Sequence, residues 1–423
     1  MAVELFGQRQ EQTTKTSYLS YAVPDELITS IHGKGPYFQG KSREAVKSRE
    51  ELRSICQTLI RRTGIRRKAA FSTLLSLIQN KRFTPELLPF INRLVKTQKE
   101  ELIPLSIASI NQYLSSQDYN AKEFIELMGT FTDNSLKNGA IPTAIILRSL
   151  GDTSQGMNII KKSYIYNYLL GDGVGGVVQH LGPENSPEKM LKKLITAIKN
   201  IKSIGEEQAL LLRNEFNIIS FERYSVGTLK RVLSLVKNKN YLGERPLAVF
   251  VMPYYDKNGG FSEEEFSKQI ERVSKNNRLL IIEAGDDITA LKLVAKIADK
   301  YGQISNLMVG GHGSFDSGEI ALGRGISEDN YLDIGDGNKL KIIGPSLRQG
   351  ATIIFLSCEA GKQGKGTNIA SLFKRVLGDV TVIAPTEVAG SHSRFILSDD
   401  GSVQGIDYYK DGNPPKRVHA FIE

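Results

Sequence analysis

A chain of 423 residues has room for two or three domains, and its 40% hydrophobic and 24% charged residues make it an ordinary globular protein, neither disordered nor fibrous. Two cysteines, Cys56 and Cys358, are too few for a disulfide framework and point to a reducing compartment. Residues 1–30 lack the basic-then-apolar pattern of a signal peptide, and no apolar run reaches the roughly 18 residues of a membrane span, so the expected location is the cytoplasm.

Residues 1–40 are rich in Gln, Thr, Ser and Gly and read as a loosely held lead-in. A helical region is expected over 41–240. Leu52, Ile55, Cys56, Leu59 and Ile60 follow the i, i+3, i+4, i+7, i+8 spacing of one buried helix face, which makes Cys56 a small core residue. Thr84-Pro85-Glu86 predicts a helix start with threonine as cap, and further helical stretches are predicted over about 100–130 and 140–170. The glycines of 171–176 match the dinucleotide-binding spacing, but Pro183 and Pro187 interrupt the helix such a site needs, so a turn is expected there. Ser186-Pro187-Glu188 starts a helix carrying Leu191, Leu194, Ile195 and Ile198, and another covers Val226–Val236. The net charge of +9 is densest at Arg61, Arg62, Arg66, Arg67 and Lys68, with Lys192, Lys193, Lys199 and Lys202 further on. Such a basic face attracts any polyanion without specifying one, and nucleic acid is kept as a lesser alternative partner.

The polar run Lys237-Asn238-Lys239-Asn240, with Gly243 and Pro246 behind it, predicts a domain boundary, and 245–423 changes to alternating strand and helix. Apolar runs begin at Leu247, Leu279, Leu307, Thr352 and Val380. Between them lie helices capped by a Ser262/Glu265 box, by Asp286 or Asp287, and by Asn368, the last one closed by Gly378. Ile320–Leu322 and Tyr331–Ile334 predict a small hairpin. Repeated strand–helix–strand units imply an α/β fold with a mostly parallel sheet flanked by helices, preceded by an all-α N-terminal domain. From about Phe395 a surface hairpin and tail are expected.

The third run ends in Val309-Gly310-Gly311-His312-Gly313 and the fourth in Phe355-Leu356-Ser357-Cys358-Glu359-Ala360-Gly361. Ligands of open α/β sheets bind beyond the carboxyl ends of the strands. If these strands are neighbours, an imidazole and a thiol share the mouth of one cleft, as a nucleophile and its acid/base partner do. Cys/His clusters with metal-ligand spacing and Gly-x-Ser-x-Gly elbows are absent, Gly361–Thr367 only imitates a phosphate loop, and His392 reads as a surface residue.

His312-Gly313 after one strand and Cys358 after the next, 46 positions later, resemble the caspase-like fold of clan CD cysteine peptidases. Leu356-Ser357-Cys358-Glu359-Ala360-Gly361 is most similar to the cysteine block of the CHAT group. The resemblance covers about Leu247 to Ile396 and implies a cysteine endopeptidase: Cys358 as nucleophile, His312 as proton relay, and the backbone N–H groups of Gly313 and Cys358 for the oxyanion. It also implies that Asp256, after the first strand, and Glu387, after the fifth, form the primary pocket, which would favour a basic P1 residue and make Lys237–Arg245 a place for self-cleavage. Thr386–Ser391 would pair with the substrate backbone. No cofactor is implied. The expected partners are a protein or peptide substrate and an activator or inhibitor acting through the helical region. The rival readings are a caspase-like binding scaffold with an unused Cys–His pair, a nucleic-acid-binding protein, and an acyltransferase using the same pair.

Overall fold

The computed structural model of the chain describes residues 43–62, 67–115, 125, 133, 187–254, 256, 260–313, 319–323, 327–362, 368–390, 393–399, 401–410 and 414–423. The expected lead-in over 1–40, the helices expected within 116–124, 126–132 and 134–170, the turn at 171–176, residues 363–367 and His392 lie outside them.

The first described helices are α1 (Arg43–Arg62), α2 (Arg67–Gln79), α3 (Leu88–Thr97) and α4 (Ile103–Ser115). Leu52, Ile55, Cys56 and Leu59 of α1 are buried among Leu74, Ile91 and other apolar residues of the following helices, the face that their spacing predicts. Burial pushes the Cys56 thiol up to about 12, so it stays protonated and serves as packing. The helix start at Thr84 differs from expectation. Pro85–Leu87 form a single 3-10 turn and α3 begins at Leu88, while Thr84 makes no cap bond to the backbone. Its hydroxyl bonds the Glu86 carboxylate instead, holding that carboxyl below its ordinary range. Arg62, in the basic cluster, donates to the carbonyls of Val95, Lys96 and Gln98 at 2.8, 2.6 and 2.9 Å, closing the C-terminal end of α3.

The next helices described along their length are α5 (Pro187–Ile204), α6 (Glu206–Phe216) and α7 (Val226–Lys237), the last capped by Ser225. They precede the predicted boundary at 240–245, yet Leu194, Ile198, Leu212, Phe216, Leu229 and Val232 belong to the same apolar core as the sheet. The change of rhythm in the sequence is therefore not a break in the core. Leu102 and Leu105, around the start of α4, reach this core too, while Ile103, Ile107 and Ile110 face the first one.

The sheet contains β1 (Leu247–Pro253), β2 (Arg278–Ala284), β3 (Ile304–Val309), β7 (Leu347–Phe355), β8 (Val380–Pro385) and β12 (Ala420–Ile422), in the order β12-β8-β7-β3-β1-β2. All pairings are parallel except that of β12 with β8. The alternation of apolar runs with amphipathic stretches predicts this α/β architecture. β1 is buried along its whole length, as a central parallel strand is when both faces are covered. The helices between the strands are α8 (Glu264–Asn276), α9 (Asp287–Tyr301), the four-residue α10 (Gly337–Leu340) and α11 (Ile369–Leu377). Asp286 and Asn368 cap α9 and α11 as predicted, accepting from Thr289 and Ser371 N–H at 2.7 Å each. The helix expected to open on the Ser262/Glu265 box starts later: Gly260–Ser262 turn in 3-10 geometry, and α8 opens two residues after Ser262 with Glu263 as an N-cap without a side-chain bond.

His312–Gly313 form a short strand, β4, that pairs with β5 (Ile320–Ala321), which in turn pairs with β6 (Tyr331–Leu332). The C-terminal segment departs from the surface hairpin expected. β9 (Arg394–Leu397), β10 (Val403–Lys410) and β11 (Lys416–Val418) form an antiparallel sheet whose Phe395, Ile406 and Tyr408 are buried. The Tyr408 hydroxyl donates to Phe355 O at 2.7 Å and lies 3.2 Å from Ile383 O, locking this sheet to the ends of β7 and β8. Among the described residues, no helix is long and apolar enough to cross a membrane.

Candidate active site

β3 and β7 are neighbours, and their register pairs Val309 with Phe355. His312 and Cys358 each lie three residues beyond that pair, so the two strands deliver them at the same level. Leu356 N–H continues the ladder to Val309 O at 2.8 Å, after which both chains turn away. Gly313 lies directly against Cys358. A Cβ at Gly313 would fall 1.8 Å from the Cys358 carbonyl oxygen, so no side chain fits there. On the other strand the turn is made by Glu359, a non-glycine residue in the left-handed region at φ 58°. Its N–H bonds Glu387 O at 3.0 Å, which ties the loop after β8 to the cysteine turn. The Cys358 thiol donates to Ala389 O at 3.4 Å in the same loop.

Asp256 stands behind the histidine. Its Oδ1 lies 3.1 Å from His312 Nε2; the carboxylate is fully buried, while the imidazole keeps 26% of its surface exposed. A carboxylate can only accept, so the Nε2 nitrogen carries the hydrogen and Nδ1 is left as the base. The ring of Phe261 packs edge-on against the imidazole, with centroids 5.6 Å apart.

The helical segment supports Asp256 from below. Arg223, fully buried just before α7, donates to Pro253 O at 2.6 Å, at the end of β1 and three residues before Asp256. Burial works against its charge, but the carboxylates of Glu283, Asp256 and Glu222 raise its pKa above the ordinary value. Glu283, buried on β2, accepts from Ile219 N–H, Ser220 N–H and the Tyr224 hydroxyl at 2.8, 3.0 and 2.6 Å. Burial lowers the Lys193 pKa, countered by the charges of Glu222, Glu263 and Asp256 around it.

His312 and Cys358 line one cleft of about 390 Å³, with Leu356, Phe261, Phe266 and Gly311 beside them, Val388–Gly390 on one wall and Phe395, Ile406 and Tyr408 on another. The two carboxylates expected to line its primary pocket do not. Asp256 is withdrawn beneath His312, and Glu387 is exposed, contributing only its carbonyl to the Glu359 turn. The physical reason is local: the buried Asp256 carboxylate lies against the imidazole, where it has Arg223 and Lys193 for countercharge. Reading the sequence also missed Arg223, Phe261 and Tyr408. Only Phe261 carried a trace of its role, as the apolar residue next to Gly259-Gly260.

Residues 264–395, about a third of the chain, are similar to a family described as a domain of unknown function (DUF4347). The match includes His312, Gly313, Cys358 and Glu387 and leaves out Asp256 and Arg223. No curated protein and no solved structure matches the chain.

Proposed function

We propose that this protein is a cysteine endopeptidase in which Cys358, His312 and Asp256 act together. The observation that carries the reading is the level delivery of thiol and imidazole from adjacent parallel strands into one cleft, with a buried carboxylate fixing the imidazole from behind. In the proposed step, His312 Nδ1 takes the thiol proton as Sγ bonds to the scissile carbonyl carbon. The oxyanion that forms is met by the N–H groups of Gly313 and Cys358, whose backbones are in contact. The C–N bond then breaks as His312 gives its proton to the leaving nitrogen, which leaves a thioester on Cys358. Water adds to that carbon while the imidazole accepts its proton; the C–S bond breaks and the proton returns to sulfur. Asp256 holds the tautomer and stabilises the transient imidazolium. It takes the place of the pocket residue that the sequence suggested.

The helical segment then contributes to the reaction through Arg223, which fixes the β1 end that carries Asp256. Incubating the full chain and its Cys358→Ala variant with a mixed peptide library tests the reading. Cleavage is expected from the unmodified chain alone. Equal products from both proteins, or no cleavage together with a Cys358 that ignores peptide electrophiles, would instead support a binding scaffold.

A further inference from the structure

Among the described residues, the cleft beside Cys358 has no charged floor of the kind that a basic or acidic substrate residue needs. Its walls are made by Phe261, Phe266, Leu356, Phe395, Ile406 and the ring of Tyr408, whose hydroxyl is engaged by the sheet carbonyls instead of facing a ligand. Among the described lining residues, Glu263 carries the one carboxyl group. It is half exposed at the rim and paired with Lys189 Nζ at 3.6 Å. A guanidinium or carboxylate entering this space would lose its water without gaining a countercharge. A large apolar side chain would lose only unfavourable hydration and would contact aromatic edges. The volume, about 390 Å³, lies at the lower end of the range for small-ligand pockets and suits one bulky residue better than an extended ligand.

We infer that the substrate is a polypeptide cut after a bulky apolar residue, with Phe or Leu seated in this cleft. The inference rests on the peptidase reading and specifies its substrate class. It replaces the basic preference expected from Asp256 and Glu387. Within the connector Lys237–Arg245, the bonds after its lysines and Arg245 are then not sites of self-cleavage.

Four peptidyl acyloxymethyl ketones differing only in the residue next to the warhead (Phe, Leu, Arg or Asp) test it on the full chain, with alkylation of Cys358 followed by mass spectrometry. Phe and Leu probes are expected to react at least about tenfold faster than Arg and Asp probes. Leu356→Asp, on the half-buried wall, is expected to shift the Arg-to-Phe rate ratio upward by at least about tenfold. Val388→Asp, at a 48% exposed position on the mouth, should shift it in the same direction and keeps the test valid if Leu356→Asp fails to fold. Arg or Asp probes reacting fastest, or all four reacting equally, would overturn the apolar cleft and leave the peptidase reading standing. Iodoacetamide labelling of Cys358 with no reaction from any peptide probe would overturn both.

Discussion

Asp256 bears on His312 and Gly313 on Cys358, one through charge and one through the absence of a side chain. An amide at position 256 could donate to Nε2, which would favour the tautomer with hydrogen on Nδ1 and remove the base. Asp256→Asn is therefore expected to lower kcat for Cys358-dependent cleavage by roughly 10²–10⁴-fold with little change in KM. A kcat that stays within twofold would reduce Asp256 to a buried charge with no part in the reaction. For Gly313 the barrier is steric. The Cβ of Gly313→Ala would collide with a backbone carbonyl, which cannot swing aside as a side-chain end would. The strand ends must separate, at a cost of about 1–3 kcal/mol. A urea midpoint lowered to that extent, together with loss of cleavage, is expected; an unchanged midpoint would contradict the close contact.

The segment around Glu222 is the element whose stability should respond most to pH. Burial pushes this carboxyl up to about 7, assisted by the Glu283 charge and opposed by Arg223 and Lys193. Its ordinary value is 4.5, so between these two values the folded chain holds a proton that the unfolded chain has released. The resulting stability is fully present below about pH 4.5 and is lost as the pH rises through about 7, a change of about 3 kcal/mol. Denaturant midpoints at pH 5 and pH 8 should differ accordingly, and Glu222→Gln should remove most of the difference. A Gln variant with an unchanged pH slope would assign the slope to other groups. None of this network was legible in the sequence, because Glu222-Arg223 sits in a single 3-10 turn with no periodicity to mark it as buried. The central strands were legible as short, unbroken apolar runs, and the amphipathic helices because their burial repeats every 3.6 residues. His312 and Cys358 were legible for a related reason: both follow apolar runs that stop in small residues. Asp256 was visible as an acid near the right strand end. Whether a loop acid faces solvent or an imidazole depends on the tertiary path of a few residues, which no local pattern encodes. The helix start expected at Ser262 failed similarly, since Ser262 was taken into the turn that places Phe261 beside His312.

At the scale of the whole molecule, the question is what the sheet needs in order to stand. The change of rhythm at 240–245 suggests that 245–423 is a unit, yet the apolar core runs across it. Removing everything before 245 would uncover the residues that pack against Leu212, Phe216, Phe221, Leu229 and Val232. Each such burial is worth about 1.5–3 kcal/mol. Five of them match the whole stability of a typical domain, about 5–15 kcal/mol. Glu283 would also lose Ile219, Ser220, Tyr224 and Arg223, leaving a carboxylate on β2 with its partners gone. A fragment covering 245–423 is therefore expected to show no sharp thermal transition and weak near-UV circular dichroism. A fragment covering 187–423 keeps α5–α7 and the Arg223 bond to the β1 end, and is expected to unfold cooperatively and to react with the Phe probe at Cys358. Should the shorter fragment unfold just as sharply and label just as fast, the helices would be an appendage, and the link from Arg223 through Asp256 to His312 would be dispensable.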